Sequence, residues 1–190
     1  MQIHDFTERL NYTNQVDIDN NMIDLIARAI PGVDVVKSNI EEDKLGTDYW
    51  VPLLDGRRVS IDIKNRARVN TDNDLCLELI SVYTDSFWSS DHYTPGLLEA
   101  KLERLKPGWT IDPLKQTNYI IYTWPANSKR IYEIFDYVLL RAATINNVES
   151  WLQQYPHKPV YNNSYWTICI FPPLQAVRDA MSSMQRGIIG

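Results

Sequence analysis

Residues 48–66 constrain the fold more than any other stretch of this chain. Asp48–Leu54 and Arg57–Arg66 read as two strands joined at Asp55-Gly56, a turn dipeptide. In the second strand, Val59, Ile61 and Ile63 alternate with Ser60, Asp62 and Lys64, so the polar set shares one face. A two-residue loop would set Asp48 against Ile63, on the wrong side of the sheet. A three-residue loop, Leu54-Asp55-Gly56, with Gly56 left-handed in a bulge, sets Asp48 opposite Asp62, Tyr49 opposite Ile61 and Val51 opposite Val59. Apolar residues meet apolar residues only in this second register.

The register has a chemical consequence. Directly opposed residues have Cβ atoms about 4.5–5.5 Å apart, and like charges so placed are destabilising. A structural role gives no reason to keep Asp48 against Asp62. A hard divalent cation does, because Mg²⁺ takes one or two carboxylates together with phosphate oxygens and waters. Lys64 on the same face could hold or help deprotonate an attacking water, or neutralise the attacked phosphate. The group describes metal-assisted phosphodiester hydrolysis.

The rest of the chain reads as an α/β sheet flanked by helices. Asp19–Ile30 predicts a helix with Ile23, Ile26, Ala27 and Ile30 as its apolar stripe, Asp17 or Asp19 as its cap and Pro31-Gly32 as its stop. Val33–Val36 predicts a short strand. Leu75–Val82, apolar on both faces except at Glu78 and Ser81, predicts a strand central in a sheet. Thr94-Pro95 opens a helix that runs to Lys106 and ends at Pro107-Gly108. Asn118–Trp124 and Arg130–Phe135 predict a further strand pair, 136–143 and 148–155 two helices, Tyr165–Phe171 a last strand, and Leu174–Met184 a closing helix. Strands interleaved with helices, with no repeat and no Gly/Ser linker, predict one domain over residues 1–190 with its core near 19–124 and a C-terminal elaboration at 130–184.

Gly46-Thr47-Asp48, the hairpin, and Asp62-Ile63-Lys64 resemble the motif of the PD-(D/E)XK, or restriction-endonuclease-like, nucleases. The setting is similar too: a helix upstream, the first Asp opening one strand, the second Asp and the Lys on the next. Thr47 stands where the family usually has Pro. Weaker similarities run through Glu78-Leu79-Ile80-Ser81, Gly108-Trp109 and Asn118-Tyr119 as far as Trp124. The resemblance implies a restriction-like fold with a central mixed sheet, Asp48 and Asp62 as metal ligands, and Lys64 as the catalytic lysine. It further implies a Mg²⁺-dependent deoxyribonuclease in which Mn²⁺ can substitute, with pairing of two copies left open.

Other residues are weighed against that reading. Glu78, on what would be the adjoining strand, is expected to assist as a third carboxylate or through Lys64. Asp19 is expected to be a cap and Asp24 to point away. Lys115 and Gln116 precede a strand and could meet phosphate, but surface placement is the expectation. His4, His92 and His157 share no partner pattern, which argues against a His-metal or His-nucleophile site. The 7 glycines form no phosphate-cradling loop. Trp88, Tyr93 and Trp109, in loops, could stack on bases, but core or rim packing is the expectation for most of the tryptophans and tyrosines. Cys76 and Cys169 read as small buried hydrophobes in a reducing, cytoplasmic setting.

Charge bears on the substrate. The formal net charge is -5, which at first argues against a nucleic-acid ligand. Residues 1–48 carry ten acids against four bases, and the remainder fourteen against fifteen. Arg57, Arg58, Lys64, Arg66 and Arg68 against Asp62 leave +4 across residues 57–68, so Arg57, Arg58, Arg66 and Arg68 are expected to contact nucleic acid. No apolar run approaches the ~20 residues a bilayer requires, and the start of the sequence lacks the features of a secretory leader. The competing expectation is a binding or inhibitor protein on an idle nuclease fold. It is motivated by the acidic balance and by 6 Trp and 11 Tyr, residue types enriched at interfaces.

Overall fold

A computed structural model describes residues 22–32, 34–66, 73–82, 106–126, 129–161 and 166–189. The chain divides into two compact units, residues 1–71 with 114–137, and residues 72–113 with 138–190. Neither is continuous in sequence, so no single linker separates them. Among the described residues no helix is long and apolar enough to cross a membrane.

In the first unit, helix α1 (Met22–Ala29) is followed by strand β1 (Val36–Lys37), helix α2 (Ile40–Lys44) and strands β2 (Tyr49–Pro52) and β3 (Arg58–Asn65). The second unit then supplies β4 (Leu77–Val82) and β5 (Lys106–Pro107), after which β6 (Tyr119–Ala126) and β7 (Lys129–Asp136) return to the first. The first sheet has the order β1-β2-β3-β6-β7. Only the β3–β6 pair is parallel, with Ile61 beside Tyr119 and Ile63 beside Ile121. The sheet is therefore mixed, as the sequence reading expected.

The hairpin register is the one that brings apolar residues together. Tyr49 pairs with Ile61, Trp50 with Ser60 and Val51 with Val59. Leu53 N–H donates to Arg57 O at 2.7 Å and Gly56 N–H to Leu53 O at 3.1 Å, closing the loop. Gly56 has φ +84°, the left-handed conformation that a residue with a Cβ enters at a cost of roughly 1–2 kcal/mol. The odd-numbered face of this sheet is the core: Tyr49, Val51, Ile61, Ile63 and Ile121 pack with Met22 and Ile26. Helix α1 meets it through a different stripe from the expected one. Ile26 is fully buried but Ile23 is 51% exposed, because Met22, with partly buried Leu25 and Ile30, turns the apolar face about one position backward. Strand β1 is also displaced, to Val36–Lys37.

In the second unit, α3 (Tyr137–Gln154, all but its first residue in this unit), β8 (His157–Tyr161), β9 (Trp166–Ile170) and α4 (Leu174–Ile189) accompany β4 and β5. Its sheet is antiparallel, in the order β5-β4-β9-β8. Strand β4 is central, as its apolar faces require, but in this sheet rather than beside β3. Two helices were expected where α3 runs unbroken. Thr144 Oγ1 donates to Leu140 O and Asn147 Nδ2 to Ala143 O, each at 2.8 Å, so the polar residues bond back along the helix instead of capping a new one. Strand β8 was not expected; its Pro159 is tolerated because β8 is an edge strand. Lys106–Pro107 is a short strand, and the remainder of the helix expected from Thr94 lies outside the described residues. Cys169 is buried, Cys76 half-buried, and neither is in a disulfide.

The rotated face of α1 sets a contrast between neighbouring residues. Ile26→Ala is expected to cost about 2–5 kcal/mol of unfolding free energy and Ile23→Ala roughly 0.5 kcal/mol or less. Urea unfolding of both variants checks this, and equal losses would contradict the packing described.

Candidate active site

Two short sequence signals deliver Asp48. Asn39 caps α2, its Oδ1 accepting from Glu41 N and Glu42 N at 3.0 Å, while Glu42 Oε2 accepts from Asn39 N at 3.0 Å. This is a reciprocal capping box, readable as Asn39-x-x-Glu42 although the helix itself was not foreseen. The same helix ends with Gly46 at φ +88°, Gly46 N donating to Asp43 O at 2.8 Å and Thr47 N to Glu42 O at 3.0 Å. Those two bonds are the Schellman termination, which turns the chain directly into Asp48 and β2.

Asp48 N then donates to Ile61 O at 2.8 Å, and Asp48 Oδ2 accepts from Ile63 N at 2.6 Å. The carboxylate is thus fixed against β3, where Asp62 follows Ile61. Asp62 lies on the even-numbered face and its side chain is 4% exposed. Its Oδ1 accepts from Lys64 Nζ at 2.9 Å. Its Oδ2 lies 2.8 Å from Lys64 Nζ and 2.6 Å from Lys115 Nζ. Both distances are ion-pair distances, yet neither approach to Oδ2 has the alignment of a well-directed hydrogen bond.

Lys115 is the residue whose placement the sequence reading did not anticipate. Its side chain is 6% exposed, against 28% for Lys64, so it is a buried member of the cluster and not a surface lysine. It arrives through pairing between loops: Thr47 Oγ1 donates to Gln116 O at 2.6 Å and Gln116 N to Leu45 O at 3.2 Å. Gly46 makes room for it, since a Cβ there would stand 2.2 Å from Lys115 Nζ. No local pattern marks Lys115; its position follows from β6 lying parallel beside β3. A second clasp holds these strands, Asn118 Oδ1 accepting from Ser60 N at 2.8 Å and from Ser60 Oγ at 3.0 Å.

The electrostatics follow from burial and these pairings. Burial, reinforced by the neighbouring Asp62 carboxylate, raises Asp48 well above the ordinary carboxylate range. Burial would also raise Asp62, but the Lys64 and Lys115 ammonium groups outweigh it and hold Asp62 below its usual value. Burial lowers Lys115, only partly offset by Asp62.

Glu78 lies on β4, in the second unit's sheet, so it is not on a strand adjoining β3, whose neighbours are β2 and β6. Its carboxylate accepts from Ser81 Oγ instead. Arg57 is exposed and bound to Asp55, with Nε at 2.8 Å and Nη2 at 2.7 Å from Oδ2. Arg58 stacks on Trp50, its Cζ 3.9 Å from the ring centroid, on the same face as Asp62. Arg66 ends β3, its N–H donating to Thr123 O at 2.8 Å. Arg68, Asp19, Trp88, Tyr93, His4 and His92 lie outside the described residues.

Among the described residues no three or more His, Cys, Asp or Glu side chains gather as a metal-binding group. The candidate donors are a pair, Asp48 and Asp62. They suit a hard divalent cation: both supply oxygen, they repel one another without a cation, and the buried Asp62 Oδ2 accepts no well-directed hydrogen bond. Comparison with protein-family models, with curated proteins and with solved structures returns no match.

The raised Asp48 makes stability pH-dependent with a definite sign. A carboxyl that holds its proton more tightly in the folded state stabilises the fold at low pH. That contribution is lost as pH rises from the unfolded value, near 4, through the higher folded one. Asp48→Asn keeps an acceptor for Ile63 N–H and cannot ionise. In EDTA, its melting temperature relative to the parent is expected to climb between about pH 4 and 8, by about 2–4 °C for each kcal/mol. A difference that is flat or falls across that range would contradict the environment assigned to Asp48.

Proposed function

We propose that this protein is a metal-dependent nuclease of the restriction-endonuclease-like kind, hydrolysing DNA phosphodiester bonds. The observation that carries the reading is the gathering of Asp48, Asp62 and Lys64 at the β2–β3 hairpin. Asp48 and Asp62 would hold Mg²⁺, or Mn²⁺ in its place. The cation's contribution is Lewis-acid polarisation of the phosphate and activation of water at neutral pH. Ile63 N–H fixes the Asp48 carboxylate, so that donor needs no reorganisation when the substrate arrives. Lys64, the more exposed of the two lysines, offsets charge developing on the attacked phosphate or steers the attacking water. Arg58, its Cζ 3.9 Å over the Trp50 ring on the same face, offers a guanidinium to a neighbouring phosphate.

A second reading has one observation in its favour. Asp62 is already neutralised by two ammonium groups, as it would be in a nuclease fold kept for binding another protein. Cleavage assays on single-stranded, duplex and branched DNA and on RNA, with Mg²⁺ and with EDTA, separate the two. Cutting is expected with Mg²⁺ only, and Asp62→Ala and Lys64→Ala are each expected to reduce it by about 10²–10³-fold. Activity that survives EDTA or both substitutions, or no cutting of any substrate, would sink the nuclease reading.

A further inference from the structure

Lys115 sets a question that the proposed chemistry does not answer: why should one metal-binding carboxylate carry two lysines? The two are not equivalent. Lys64 follows Asp62 by two residues on the same strand and makes the directed bond to Oδ1. Lys115 comes from the loop before β6, is almost wholly buried, and reaches Oδ2 at 2.6 Å with Gly46 O at 3.4 Å. The chain has made room for it at Gly46, where any side chain would collide with its ammonium. A buried amine surrounded so closely is held in place, and its charge acts on whatever else Asp62 binds.

We infer that Lys115 is a positioning residue that acts through Asp62: it keeps the carboxylate aimed and shares its neutralisation with Lys64, and its charge holds down the affinity for a divalent cation. The inference rests on the metal-dependent reading of the site. Two physical effects support it. An ammonium at ion-pair distance from one oxygen of a carboxylate repels a cation taken up by the same group, an effect of about tenfold or more in affinity even under strong solvent screening. Lys64 already bonds Asp62, and without Lys115 it would bear that neutralisation alone and be harder to divert to phosphate. Removal should therefore move cation affinity and turnover in opposite directions, which mere loosening of the fold does not do.

The test is calorimetric titration of Mn²⁺ into the full chain and into Lys115→Met and Lys115→Gln, each checked for folding by circular dichroism. Cleavage rates at saturating Mn²⁺ are measured alongside. Lys115→Gln keeps a polar group in the pocket should the Met variant not fold. Mn²⁺ affinity about tenfold tighter, with cleavage slowed at least tenfold, is expected. Affinity that is unchanged or weaker in a folded variant would overturn the role of Lys115, as would undiminished cleavage. If the variants bind Mn²⁺ more tightly but the parent cuts no nucleic acid, the effect of Lys115 on cation affinity stands and the nuclease reading fails. If the parent binds no Mn²⁺, both fail.

Discussion

Asp62 sits at the centre of a cluster that the surrounding chain is arranged to satisfy. A carboxylate this buried would be costly to ionise alone, and both of its oxygens are met by ammonium groups within 2.9 Å. Such a cluster is a poor device for stability, since the desolvation of several charges is rarely recovered in full and apolar residues of equal volume often do better. Asp48 sharpens the point, because it adds a second carboxylate that repels the first. The arrangement is easier to understand as chemistry that the fold accommodates.

Two left-handed glycines do much of the accommodating. Gly56 lets the hairpin close with an odd loop, which sets Tyr49 against Ile61 and brings Asp48, just before β2, to the backbone of Ile61 and Ile63 on either side of Asp62. Gly46 ends α2 and leaves the space that Lys115 fills. On the other side of the sheet, Met22 and Ile26 of α1 press on Ile61 and Ile63, the residues that flank Asp62 in sequence. Alternation along β3 then fixes which way Asp62 must point. One face is held by the hydrophobic effect, and the other inherits its geometry.

This is why the hairpin was legible in the sequence and Lys115 was not. Register depends on local alternation and loop length, both present in residues 48–66, and a one-residue slip would expose every core residue. Lys115 depends on β6 lying parallel to β3, a pairing across more than fifty residues that no local periodicity encodes. Glu78 misled for the same reason: the pattern of β4 showed that it was central but not in which sheet. In α1, Ile23 and Met22 both continue a helical stripe, and only the packed partner selects between them. Helix α3 runs through residues 144–147, where two helices were expected, with Thr144 and Asn147 bonding back to Leu140 and Ala143.

The positive charge around β3 also needs reading through the structure. Counted along the sequence, residues 57–68 carry an excess of four. Arg57, however, is paired with Asp55, just outside that window, and Lys64 is paired with Asp62 inside it. Asp62 is already subtracted in that count, so only Asp55 lowers it, by one, and buried Lys115 adds one back; the field falls off within about a Debye length, roughly 8–10 Å in physiological salt. Arg58 differs from Arg57. Among the described residues it has no acidic partner, and Trp50 beneath it restricts the guanidinium without neutralising it. A charge presented in that way acts at short range, by contact and orientation, more than by long-range attraction. In a chain whose overall charge is -5, contact with a phosphodiester would rest on such close contacts more than on the net charge.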